Sequence, residues 1–245
     1  MYGQTRDFLT GYSNLMKCLK CLKMEDEEID VFFHTWKLEE GKEFEHATWS
    51  TCIMRSNLKN TYTQQTDIEE RLLDLYKNVK GYSFEPVKYF DTHDIQNTRL
   101  YKNSRTDQKE NAKNVLSQFY SRSKVFEIIE NFILTNKVNY DAIISSRFDA
   151  WDYSDSVNEP YEYGKCFIPT NRELMVVGDN FLILPQDIYF KVFKNIYEKL
   201  NDPKVTGTKG FYYLKNKSIP PDLSPEKIVT ILFRKAVNED MTMLM

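Results

Sequence analysis

Nothing in this chain of 245 residues is apolar for long enough to cross a bilayer as a helix. The opening MYGQTRDFL also lacks the basic-then-apolar layout of a secretory leader. Glycine and proline are scarce, at 8 each, which argues against a disordered or low-complexity chain. A basic surplus is missing too: the formal net charge is −3, unlike that of a general nucleic-acid binder. Four cysteines spread over such a length make no disulfide framework. Cys18 and Cys21 have CxxC spacing without a second pair, and they fall in an amphipathic helical pattern, so packing is the better reading than zinc. A reducing, cytoplasmic compartment is expected. The GxxxxGK[ST] loop, the GxGxxG fingerprint, the GxSxG elbow and HExxH spacing are all absent. The three histidines, His34, His46 and His93, are widely spaced.

Short strand-like runs alternating with amphipathic stretches predict an α/β fold: one domain over 1–245, with a mostly parallel, Rossmann-like sheet flanked by helices. The first strand is expected to be very short, or the chain to begin late within it, with Gly3, Gln4 and Arg6 in the turn that follows. A helix over 13–24 leads to a second strand, IDVFF, with His34, Thr35 and Trp36 at its carboxyl end. Thr66 and Glu69 have capping-box spacing ahead of a helix that Gly81 would stop. A third strand is expected over 82–90. The polar stretch 91–106 reads as a loop over a site, and the longest helix over 107–134. In that helix the polar centre, Gln118 and Ser121 to Lys124, is expected to meet solvent or ligand.

The central stretch is NYDAIISSRFDAWD, residues 139–152: a buried strand that breaks into Arg147, Asp149 and Asp152. Ligands of open α/β sheets sit beyond the carboxyl ends of the strands, so these charges are expected at the mouth of a cleft. There Asp149 could hold a divalent cation, or form an ion pair that closes the strand. Later strands are expected over 165–169 and 176–184, the second interrupted by Gly178, Asp179 and Asn180. A helix over 185–200 and a last one opened by Ser224 and Pro225 complete the chain. Arg6 and Arg147 suit a diphosphate, and Asp179 could orient or deprotonate a hydroxyl.

The order GQTRDF, DVFFHTW, QFYSRSKVFEI, YDAIISSRFDAWD, GDNFLILP and SPEKIVTILFRKAV resembles small nucleotide-sugar glycosyltransferases of the GT-A fold, of the kind found in large DNA viruses, algae and bacteria. The likeness implies transfer of a sugar from a UDP- or GDP-sugar to a hydroxyl acceptor on a glycan or glycoconjugate, in the host cytoplasm if the chain is viral. It implies Gly3, Gln4, Arg6 and His34 on the nucleotide side and Arg147 and Asp149 on the donor diphosphate. It also implies Mn²⁺ or Mg²⁺ at Asp149 and Asp152, and Asp179 as base or acceptor contact. R-x-D stands where D-x-D is usual, and no histidine follows the central motif as a third ligand. The alternative is a non-catalytic carbohydrate- or protein-binding module, motivated by the aromatics of WDYSDSVNEPYEY. A strand-end carboxylate is expected to matter little to the core, so that Asp149→Ala would spare folding.

Overall fold

The computed structural model describes residues 1–25, 28–39, 43–45, 61–64, 66–90, 93–96, 101–102, 112–157, 159–171, 176–177, 180–200 and 225–237. In chain order the elements are β1 (Tyr2–Gly3), α1 (Phe8–Cys21), β2 (Val31–Lys37), β3 (Glu43–Glu45), β4 (Thr61–Thr63), α2 (Ile68–Leu75), β5 (Val79–Pro86) and α3 (His93–Gln96). There follow α4 (Ala112–Asn136), β6 (Ile143–Ser146), β7 (Thr170–Asn171), β8 (Val176–Val177), β9 (Phe181–Leu184), α5 (Gln186–Phe193), α6 (Ile196–Lys199) and α7 (Pro225–Val237).

The chain is a mixed α/β protein, compatible with a Rossmann-like fold. Strands β1, β2 and β5 form a three-stranded parallel sheet with β2 in the middle. An isolated parallel bridge, Tyr2 to Arg147, sets the end of β6 beside β1, and β9 runs antiparallel to β6. Two hydrogen bonds of 2.9 Å between Phe167 and Ile183 then lay the 165–169 segment along β9. β3 with β4, and β7 with β8, make separate two-stranded antiparallel ladders.

Two apolar clusters cover the strands. One joins Tyr2, Phe32, Trp36, Ile143, Leu182 and Leu184 to α4, α5, α6 and α7 through Val115, Phe119, Val192, Ile196 and Ile228. The other joins Phe33, Phe148, Phe181 and Ile183 to α1 and α2 through Leu15, Leu19, Ile68 and Leu72. Strands buried on both faces carry no alternation, which is why VFFH and FLIL read as unbroken buried runs.

Several boundaries differ from the sequence expectation. Strand β2 runs through His34, Thr35 and Trp36 instead of ending before them, because those residues still pair with Ser83, Phe84 and Glu85. Strand β5 occupies 79–86, not 82–90, and continues through Gly81. A Cβ at Gly81 would stand 2.6 Å from the Ile128 side chain, so this glycine admits α4 against the sheet and stops no helix. Helix α2 starts after Asp67 with no side-chain cap bond, so the Thr66–Glu69 box is not made. The 185–200 helix breaks at Asn195, whose φ of 54° is left-handed, into α5 and α6. Ser121, Arg122 and Ser123 of α4 are buried rather than facing solvent. Cys18 is buried on α1 and Cys21 exposed; both are free. Among the described residues no helix is long and apolar enough to cross a membrane.

Candidate functional site at the carboxyl edge of the sheet

The loop after β1 and the end of β6 meet at one rim, because the Tyr2–Arg147 bridge brings them side by side. There Asp149 receives two guanidinium groups. Arg6 Nε donates to Oδ2 at 2.7 Å; Arg147 Nε donates to Oδ1 at 2.8 Å and its terminal nitrogen to Oδ2 at 2.9 Å. The Asp149 side chain is only 9% exposed, against 20% for Arg6 and 22% for Arg147. Burial alone would raise its pKa, but the charges and hydrogen bonds of Arg147 and Arg6 overcome that and lower it to about 2. Among the described residues, two guanidinium cations thus meet one buried carboxylate at the strand ends.

Helix α1 holds this loop in place by three residues that share one of its faces. Gly11 lies directly under it: a Cβ there would sit 1.8 Å from the Phe148 carbonyl oxygen, closer than any side chain allows. Asn14 Nδ2 donates to the Ala150 carbonyl at 2.9 Å, and Lys17 pairs loosely with Asp152 at 3.4 Å. From beneath, the Phe148 ring is wholly buried against Phe33 and Tyr76. The first helix was legible from its leucines, but its role as the platform for RFDAWD was not. The i, i+3, i+6 spacing of Gly11, Asn14 and Lys17 was the available signal.

Asn180, just before β9, also reaches the rim. The Asn180 carbonyl accepts from Arg147 N at 3.0 Å, and among the described residues the buried Asn180 side-chain oxygen has no hydrogen-bond partner. Gly178 and Asp179 lie outside the described residues, so the expected base is not positioned. Gly3 sits at φ 101°, where only glycine is unstrained. Its N–H donates to Ser121 Oγ at 2.9 Å and its carbonyl accepts from Thr35 Oγ1 at 2.7 Å. Gln4 follows, half-buried.

His34 is fully buried beneath the sheet, with Nδ1 2.7 Å from Ser121 Oγ. Ser121 Oγ also accepts from Gly3 N and lies 3.4 Å from the His34 carbonyl, to which it can donate, and His34 Nε2 stands 3.7 Å from Glu85. Burial pushes the His34 pKa down to about 4, against the opposing pull of Glu85. This histidine braces β1 against α4 through Ser121, which also holds Gly3, and Tyr2 of β1 pairs with His34 on one side and Arg147 on the other.

The residues do not fit a divalent cation in this arrangement. Both Asp149 oxygens already accept guanidinium protons, so a cation there would meet two fixed positive charges. Asp152 is exposed and turned to its own chain, accepting from Ser154 N at 3.0 Å and Ser154 Oγ at 2.6 Å. Among the described residues no three histidine, cysteine or carboxylate side chains converge.

Comparison with known proteins yields no matching family model, no matching curated protein and no matching solved structure.

Proposed function

We propose that the protein is a GT-A-like glycosyltransferase that binds the diphosphate of a nucleotide sugar at the rim formed by Arg6, Arg147 and Asp149. The observation that carries this reading is the convergence of two guanidinium groups on one buried carboxylate where β1 and β6 end. Asp149 holds both guanidinium groups in place, and guanidinium groups so fixed favour an anion. A diphosphate presents pairs of charged oxygens that guanidinium groups match, and its charge grows as the sugar departs.

In this reading the bond between the sugar C1 and the diphosphate oxygen breaks while C1 bonds to the acceptor oxygen. Arg6 and Arg147 neutralise the leaving diphosphate. Asp179, next in the chain to the Arg147-bonded Asn180, is assigned to take the acceptor proton. Incubation with UDP- and GDP-sugars tests it: the intact nucleoside diphosphate is the expected product. Failure of every nucleotide and nucleotide sugar to bind would remove the reading.

A second reading, a non-catalytic sugar-binding module, is favoured by Trp151, 54% exposed and two residues beyond Asp149. Glycan binding that depends on Trp151, with no donor turnover, would support that one instead.

A further inference from the structure

The rim carries one polar atom that its own hydrogen bonds leave over. Asn180 is 9% exposed, and its side-chain Oδ1 is closed from solvent and meets no donor among the described residues. A buried carbonyl in that state has lost its water and gained no partner, which a folded protein seldom tolerates without a use.

Register fixes where that atom stands. Strand β9 runs antiparallel to β6 with Phe181 opposite Ser146, and the Arg147 N–H donates to the Asn180 carbonyl at 3.0 Å, so Asn180 stands opposite Arg147. Opposite residues of an antiparallel ladder carry their side chains on the same face, about 5 Å apart at Cβ. Phe148, Phe181 and Ile183 take the face of α1 and α2. Tyr2, Leu182 and Leu184 take the other, and alternation puts Arg147 and Asn180 there with them. The Asn180 amide therefore flanks the Arg147 side chain, whose guanidinium is held on Asp149.

Donor and acceptor chemistry then narrows the ligand. Arg6 and Arg147 can only donate and suit oxyanions, whereas Asn180 Oδ1 can only accept. An esterified diphosphate has no proton to give it, so a ligand that satisfies all three must carry a hydroxyl close to its diphosphate. A nucleotide sugar does so through the ring hydroxyls of the sugar. Asp179, assigned above to the acceptor proton, is the chain neighbour of Asn180, which sets this amide at the sugar end of the diphosphate and not at the ribose end. We infer that Asn180 selects the donor sugar: its side-chain oxygen accepts a hydrogen bond from one ring hydroxyl of the transferred sugar while Arg6 and Arg147 hold the diphosphate. The inference rests on the function proposed above and names the group that tells a nucleotide sugar from the bare nucleotide. The amide turns about a soft terminal torsion to meet the hydroxyl, and no proton is transferred. A site built to bond a substrate hydroxyl rejects the analogue that lacks it, because the buried acceptor is then left unpaired.

The test titrates UDP, GDP, UDP-glucose, UDP-galactose, UDP-N-acetylglucosamine, UDP-xylose, GDP-mannose and GDP-fucose, in chelator, into wild type and into Asn180→Ala. For at least one donor the sugar is expected to tighten binding to wild type by roughly tenfold over its nucleoside diphosphate. Asn180→Ala is expected to erase that gain and to leave the affinity for UDP and GDP as it was. One monodeoxy analogue of the same donor should show the same loss on wild type and no further loss on the variant. The wild-type arm decides the matter even if the variant does not fold. Equal weakening of nucleotide and nucleotide sugar by Asn180→Ala, a sugar that adds nothing for any donor, or monodeoxy analogues that all bind wild type like their parent would overturn the assignment and spare the diphosphate rim. If no nucleotide binds wild type, the function proposed above falls and this assignment with it.

Discussion

Replacing Asp149 by asparagine keeps the shape of the side chain and removes the charge that two guanidinium groups share. In the native arrangement three charge-assisted bonds of 2.7–2.9 Å end on a carboxylate that is 9% exposed. Its pKa falls from an ordinary 3.8 to about 2, a shift equivalent to roughly 2 kcal/mol at 1.36 kcal/mol per unit. Because the folded value is the lower one, that contribution is present above pH 3.8 and fades as the pH drops through 2. The variant also leaves Arg6 and Arg147 facing one another across a neutral amide, and breaking a buried ion pair from one side costs about 3–5 kcal/mol. At pH 7 the Asp149→Asn protein is thus expected to melt lower by roughly 6–20 °C, at 2–4 °C per kcal/mol for a chain of this size. Below pH 4 the difference between the two proteins should narrow. Melts of both proteins from pH 7 to pH 2 measure this directly. A variant within 1 °C of wild type at pH 7, or a gap that stays constant down to pH 2, would refute the reasoning. The same argument revises the sequence-based expectation that Asp149→Ala leaves folding intact: the carboxylate is buried and triply bonded.

Gly11→Ala should lower stability by about 1–3 kcal/mol, since its Cβ would overlap a backbone oxygen that cannot swing away. The strain falls on Phe148–Ala150, so urea melts should show the loss and side-chain NMR a displaced Arg147. Phe148→Ala, which empties a fully buried ring site, should cost about 3–5 kcal/mol by the same melts. His34 makes a separate contribution to acid sensitivity. Its pKa falls from 6.5 to about 4 in an environment facing Glu85, Lys124, Tyr120 and Ser121. Stability is therefore full above pH 6.5 and declines as the pH falls through 4, and His34→Gln should flatten Tm against pH over that window.

How far the sequence could be read depended on whether a residue's partner lay nearby in the chain. Ile143 and Ile144 announce a strand from composition alone, and the long apolar stripe of α4 announces a helix. The carboxyl-edge position of Arg147 and Asp149 followed from the general placement of ligands in such sheets, and Arg6 joined them as expected. Hidden were the features set by contacts across more than a hundred residues. Ser121 reads as a polar, solvent-facing residue until Gly3 and His34 are seen to bond to it. Gly81 reads as a helix stop until Ile128 is found above it. Asp149 reads as a metal ligand or as half of an ion pair when its own strand is considered alone; Arg6, 143 residues away, adds a second guanidinium to it.

Isothermal titration of UDP- and GDP-sugars, in chelator, into wild type and into Arg147→Gln is the most direct measurement of the central proposal. Binding of at least one donor without metal, weakened roughly tenfold or more by the loss of one charge-assisted fork, is the expected result. Donor binding that appears only when Mn²⁺ or Mg²⁺ is restored, or that is indifferent to Arg147, would contradict it.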